Sequence, residues 1–194
     1  MKRTRGKLII FEGINAAGKT SLIRLILKLQ PDWLYCKGQG DKNTSWGRFA
    51  RRHPSSPLLL MELLITNLLI VRPALKTGKI VLHDRYFFSI MAFYTAQKWY
   101  NRLLGKIFLK LLVFPDQIFL VDVNTEEALR RLRNEEPNQF HQLYLANPQM
   151  INQERGYLYQ SLENYQNVIN ISGKDSNNLA LTISEKIGGP INDS

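Results

Sequence analysis

The sequence predicts an α/β domain with a five-stranded, mainly parallel sheet flanked by helices, and three observations carry that expectation. Five short apolar segments alternate with helix-length segments from the first residues onward. The strongest of them, Lys79-Ile-Val-Leu-His-Asp84 and Gln117-Ile-Phe-Leu-Val-Asp-Val123, are continuously apolar rather than alternating, as strands covered on both faces must be. Length is the third: 194 residues suit one domain with a sizeable core, so residues 1–194 are expected to form a single unit. Hydrophobic residues at 44% and charged residues at 22% exclude a disordered or fibrous chain.

Taken in order, Lys7 to Phe11 reads as the first strand, Thr20 to Gln30 as a helix, and Trp33 to Lys37 as the second strand after the Pro31-Asp32 break. Ser55 to Lys76 is a long helical stretch ended by Gly78, and the third strand follows. Tyr86 to about Leu112 is helical with a break near Gly105, and Pro115-Asp116 introduces the fourth strand. Asn124 or Thr125 then caps a helix whose first turn carries Glu126 and Glu127, the favourable sign at that end. A short strand, Val168 to Ile171, and a helix from about Asn177 to Ile187 complete the pattern.

Charge and cysteine content narrow the function. A net charge of +10 points to an anionic partner, whether nucleotide, nucleic acid or lipid. A lone cysteine, Cys36, excludes an intramolecular disulfide and fits a reducing compartment. Only four apolar residues, Leu8 to Phe11, follow the basic start, too few for a signal-peptide core, so the expected location is cytoplasmic. The most apolar stretch, Leu58 to Val71, is 14 residues long and carries Glu62, Thr66 and Asn67, which reads as a buried helix and not a membrane span.

One motif carries most of the chemistry. The first strand runs into Gly13-Ile14-Asn15-Ala16-Ala17-Gly18-Lys19-Thr20-Ser21, which matches Gly-x4-Gly-Lys-[Ser/Thr] between a strand and a helix. Glycines at that spacing let backbone N–H groups turn inward around phosphate oxygens, and the helix N-terminus adds its positive end. Lys19 supplies charge near the β and γ phosphates of ATP, and Thr20 a hydroxyl for Mg²⁺. The fold is therefore expected to be a P-loop NTPase fold. No Asn-Lys-x-Asp run of a guanine-binding switch is present, and the length leaves little room for a motor, so a kinase of small molecules remains. At the carboxyl end of the third strand stand Asp84 and Arg85, on the side of a parallel sheet where ligands bind. Asp84 suits Mg²⁺, directly or through water, and the Arg85 fork suits an acceptor phosphate. A helix-start aspartate with a solvated arginine is the plainer alternative.

In four segments the sequence resembles the thymidylate kinase family and its nucleoside monophosphate kinase relatives. They are Phe11-Glu-Gly-Ile-Asn-Ala-Ala-Gly-Lys-Thr20; Arg72-Pro-Ala-Leu-Lys-Thr-Gly-Lys-Ile-Val-Leu-His-Asp-Arg-Tyr86 with Ser89 and Ala92; Pro115-Asp116; and Val121-Asp-Val-Asn-Thr-Glu-Glu-Ala-Leu-Arg-Arg-Leu132. The resemblance implies transfer of the ATP γ-phosphoryl group to a nucleoside monophosphate with Mg²⁺, a reaction that needs positioning and charge neutralisation more than a strong base. It also implies that Arg85 grips the acceptor phosphate, with Arg51 as a second phosphate contact; Tyr86, first of an aromatic cluster after Asp84-Arg85, is a candidate to stack on the acceptor base, although core packing accounts for most of that cluster. A lid is implied between Arg130 and about Met150, a loop-like region long for a connection, with Arg133 favoured over Arg130 and Arg131 for contact with the transferring group. Pairing through the apolar helix implies a homodimer.

Three departures concern the acceptor. Asn15 stands where the family usually has Asp or Glu, the segment after the second strand is poorly kept, and an apolar position near Leu63 replaces the base-reading arginine. Two readings therefore stay open beside the first: a kinase of a deoxynucleoside or other small metabolite on the same scaffold, and a non-catalytic nucleotide-binding regulatory or nucleic-acid-associated module. For the last, the basic stripe Arg102, Lys106 and Lys110 reads more simply as a solvated helix face.

Overall fold

A computed structural model describes residues 5–38, 48–49, 56–95, 107–135, 139–172 and 176–188. Five strands, β1 (Leu8–Glu12), β2 (Leu34–Lys37), β3 (Val81–Asp84), β4 (Gln117–Leu120) and β5 (Val168–Asn170), form one sheet in the order β2-β3-β1-β4-β5. Every pairing between them is parallel. The central strand β1 is buried at all five positions, because side chains of alternate residues enter two separate cores. Leu8 and Ile10 face a core shared with α2 (Ser56–Thr66), α4 (Phe87–Thr95) and α7 (Gln149–Leu162). Ile9 and Phe11 face the other, closed by α1 (Lys19–Leu29), α5 (Thr125–Asn134) and α8 (Ser176–Gly188).

The expected long helix is present, with an internal change of pitch. From α2 the chain passes through a π-helical turn, Asn67–Val71, into α3 (Arg72–Lys76). The π turn brings Asn67 into the core, where Nδ2 donates to Tyr86 Oη at 2.5 Å and Oδ1 accepts from the Val113 amide at 2.9 Å. The run is only partly the buried helix expected. Pro57–Lys76 is 20 residues of mean hydropathy 1.9, long and apolar enough by composition to cross a membrane. Leu59, Leu60, Leu63 and Val71 are in the core, whereas Leu69 is 71% exposed beside exposed Met61, Leu68 and Ile70.

The region from Arg130 to Met150 also departs from expectation. Instead of a loop it holds the end of α5, then α6 (Gln139–Ala146), with α7 beginning after Asn147-Pro148. Asn124 caps α5, its Oδ1 accepting from the Glu127 amide at 2.7 Å. The helix after Tyr86 is α4, and the next described helical residues are 107–111. The break expected near Gly105, with Arg102 and Lys106 of the basic stripe, lies outside the described residues.

Register places the chemistry. Phe11 pairs with Asp84 on one side of β3 and Lys37 pairs with Asp84 on the other, so the ends of β1, β2 and β3 meet at one sheet edge.

Candidate active site

The loop after β1 is shaped by backbone conformation. Gly13 has φ +147°, and a Cβ there would fall 1.8 Å from the Val121 carbonyl oxygen, so no larger residue fits. Ala16 and Gly18 are left-handed at φ 58° and 98°, which curls the chain toward the N-terminus of α1. The Lys19 Nζ donates to the carbonyls of Gly13 at 2.9 Å and Ile14 at 2.6 Å, closing the loop on itself. Burial, with the Arg85 guanidinium close by, pushes the Lys19 ammonium down to about 7.

At the edge of β3 a second conformation is forced. Arg85 is left-handed at φ 65°, uncommon for a residue with a side chain. Its backbone is gripped from several sides. The Arg85 amide donates to Phe11 O at 3.0 Å, and the Gly38 amide donates to Asp84 O at 2.8 Å. A Cβ on Gly38 would fall 1.7 Å from Arg85 O, so only glycine can close β2 against this turn. His83 Nδ1 lies 2.8 Å from the same carbonyl; since a carbonyl only accepts, Nδ1 carries the proton there. Burial pushes the imidazole down to about 4, consistent with a neutral ring.

These two turns bring the expected residues together. Thr20 Oγ1 donates to Asp84 Oδ2 at 2.5 Å, and Tyr35 Oη reaches the same oxygen at 3.3 Å. The Arg85 Nη2 donates to Asn15 Oδ1 across the gap between β3 and the loop. Ser21 lines a cavity of about 690 Å³ with Ala16, Ala17 and Gly18, bounded opposite by Asp122, Arg131 and Leu179. Among the described residues no three His, Cys, Asp or Glu side chains cluster as a metal-ligand set. One hydroxyl and one carboxylate oxygen side by side still fit a hard cation such as Mg²⁺, which commonly takes its other ligands from water and substrate phosphates.

Other expectations fare differently. The Tyr86 hydroxyl donates to Val113 O at 2.8 Å and accepts from Asn67, so the side chain belongs to the core and not to an acceptor pocket. Arg133 is exposed, while Arg131 Nη1 reaches the Ala16 carbonyl at 3.1 Å and its Nε meets Glu127 at 2.6 Å. Arg130 also pairs with Glu127, at 2.7 Å, and both guanidinium hydrogen bonds hold that carboxyl at about 2. Arg51 lies outside the described residues. Leu63 is wholly buried in the core.

Three buried groups had no part in the sequence reading. Glu12 is fully buried and caps the start of α4, accepting from the Tyr86 amide at 3.0 Å and from the Ser89 hydroxyl. Glu154 and Tyr144, from α7 and α6, stand beside Arg85. Glu12 is adjacent to the loop motif, so its place could have been read; Glu154 and Tyr144 are brought in only by the packing of two later helices.

Comparison with known proteins shows the family and the fold. Residues 11–174 match the family model described as thymidylate kinase. A probable thymidylate kinase of Archaeoglobus fulgidus is 33% identical over 135 residues, covering 65% of this chain and 69% of the relative. A thymidylate kinase of Fervidobacterium nodosum is 30% identical over 145 residues, covering 66% and 72%. The solved thymidylate kinase from Candida albicans superposes with a TM-score of 0.71 at 17% identity, covering 94% of this chain and 91% of that one, a likeness of fold.

Proposed function

The chain belongs to the thymidylate kinase family and is a nucleotide kinase that transfers the γ-phosphoryl group of ATP to a nucleoside monophosphate; from that premise we propose that dTMP is the acceptor and that the site divides as follows from its geometry. The loop from Gly13 to Ser21, with Ile14, Asn15, Ala16, Ala17 and Gly18 between, receives the ATP phosphates, and the adjoining cavity receives the nucleoside. Lys19 exchanges its loop carbonyls for β- and γ-phosphate oxygens. Thr20 and Asp84 hold Mg²⁺, which when bound neutralises charge developing on the phosphates. Arg85, helped by Arg51, grips the acceptor phosphate. Residues from about 130 to 150 act as the lid, and Arg131 rather than Arg133 supplies the arginine nearest the transferring group.

A single juxtaposition carries the reading. A cation-binding pair, Thr20 and Asp84, and an anion-binding guanidinium, Arg85, meet at one sheet edge within reach of the same phosphate loop. That is what transfer between two phosphates requires: both anions held in line, with no strong base. The relatives' names supply dTMP as the monophosphate. We read the Pro57–Lys76 run as a core helix whose exposed Leu68, Leu69 and Ile70 pair with a second copy, and the location as cytoplasmic.

The test is ATP consumption by the purified full chain with Mg²⁺ against nucleoside monophosphates and nucleosides, with Lys19→Ala as the blank. Turnover with dTMP, lost by about 10³-fold in the blank, is expected. Turnover with nucleosides alone would replace the acceptor. ATP binding without turnover on any of them would make the chain a nucleotide-binding regulator.

A further inference from the structure

The Arg85 side chain is 14% exposed and largely withdrawn from water, and the loop beside it offers only the neutral amide of Asn15. A counter-charge comes from the opposite wall. Glu154, 4% exposed in the middle of α7, places Oε1 3.6 Å from Arg85 Nη1, and its Oε2 accepts from Tyr144 Oη on α6 at 2.7 Å. Its neighbours on the same helix face, Ile151 and Leu158, are buried and apolar. A carboxylate in that stripe loses its hydration and gains nothing from packing, so its function lies in the guanidinium and phenol it meets. Two other carboxylates near Arg85 are already engaged: Asp84 with Thr20 and Tyr35, Glu12 with the start of α4.

We propose that Glu154 is a positioning and specificity residue that holds Arg85 while the acceptor site is empty and yields it only to a ligand of greater negative charge, so that the site selects an acceptor bearing a phosphate over one bearing only a hydroxyl. The inference rests on the reading of Arg85 as the acceptor-phosphate ligand. In a site of low dielectric the guanidinium is attracted strongly by the carboxylate. A phosphate dianion carries more charge than the carboxylate and a better match to the guanidinium fork, so it can displace Glu154. An uncharged nucleoside cannot. Because Glu154 also holds Tyr144, whose helix lies in the segment from 130 to 150, displacement is felt by that segment as well.

Glu154→Gln removes the charge and keeps the shape and an acceptor for Tyr144. Calorimetric titration of the full chain with dTMP, and separately with inorganic phosphate, both without ATP, should show affinity about tenfold higher than wild type, since Arg85 keeps its hydrogen bond to Asn15 but loses the Glu154 charge that a phosphate must displace. The acceptor KM should fall with it, the change carried by KM and not kcat. Returning a carboxylate from the other side, Asn15→Asp in the Glu154→Gln background, should bring the affinity back down. Tyr144→Phe should act in the opposite sense to Glu154→Gln: freeing Oε2 strengthens the hold of Glu154 on Arg85 and weakens dTMP binding. Unchanged or weaker dTMP and phosphate binding in Glu154→Gln overturns the proposal. If that variant does not fold, unchanged or tighter binding in Tyr144→Phe overturns it. Failure of the wild type to turn over any monophosphate would strike the kinase reading instead, while the phosphate titrations still report on the pair.

Discussion

On the donor side the site is made of backbone: a stretch of nine consecutive residues, two left-handed positions, and a lysine that closes on the carbonyls of its own loop. On the side proposed for the acceptor it is made of side chains gathered from four places, Asn15 on the loop, Arg85 after β3, Tyr144 on α6 and Glu154 on α7. The first arrangement is pre-formed and indifferent to what the phosphates belong to. The second depends on the packing of separate elements, since Tyr144 and Glu154 are both buried where α6 meets α7.

If the acceptor side is where a monophosphate is gripped, Arg85→Ala should be the most damaging change there. The acceptor KM should rise and kcat fall, with kcat/KM down by about 10²–10³-fold, while the Kd for ATP changes by a much smaller factor, since Arg85 touches the ATP loop only through Asn15 and the charge of Lys19. A comparable loss in ATP affinity would mean that the two sides are not separable as drawn. A mild effect on the acceptor would remove Arg85 from the acceptor phosphate altogether and favour an unphosphorylated substrate.

A smaller effect separates two arginines of α5, Arg131 and Arg133. Arg131→Ala should lower kcat by about tenfold to a hundredfold, and Arg133→Ala by less than about twofold, since Arg131 alone of the two reaches the loop, at Ala16 O. Steady-state kinetics at saturating ATP decide it. The reverse order would show that α5 rotates or extends when nucleotide binds, and would restore the arginine favoured from sequence.

That pair also shows where sequence stops. The phosphate loop was legible because its chemistry lies in contiguous residues between a strand and a helix, and the sheet because its strands are apolar runs. On α5, Ala128 and Leu132 mark the buried seam, and Arg131 and Arg133 flank it on opposite sides. Periodicity identifies the seam; which flank faces the loop depends on how α5 lies across β4, a tertiary fact. Tyr86 is similar. It follows Asp84 and Arg85 directly, yet its hydroxyl is drawn into the core by Asn67, a residue whose direction is set by the π-helical turn. Asn67, a polar residue in the most apolar helix, was the available signal. Glu154 carried a similar mark, a carboxylate between Ile151 and Leu158 on one buried helix face, but nothing local relates position 154 to position 85.

The finest test of the donor side is a proton count. Lys19, held near 7 by burial, is largely neutral at pH 8 in the empty site, and ATP phosphates stabilise its charged form. Binding of Mg²⁺-ATP at pH 8 should therefore take up close to one proton per site, falling to about half a proton at pH 7. Calorimetry in buffers of different ionisation enthalpy measures it, with Lys19→Met as the reference that takes up none at this position. The same shift fixes a stability slope. Because the folded chain binds fewer protons at Lys19 than the unfolded chain between pH 7 and the ordinary lysine value of 10.5, this residue makes stability rise with pH across that window. Lys19→Met should flatten the rise. Uptake equal in wild type and variant would mean that Lys19 is already charged in the empty loop, held by the carbonyls of Gly13 and Ile14 strongly enough to offset its burial, and that the donor side is complete before ATP arrives.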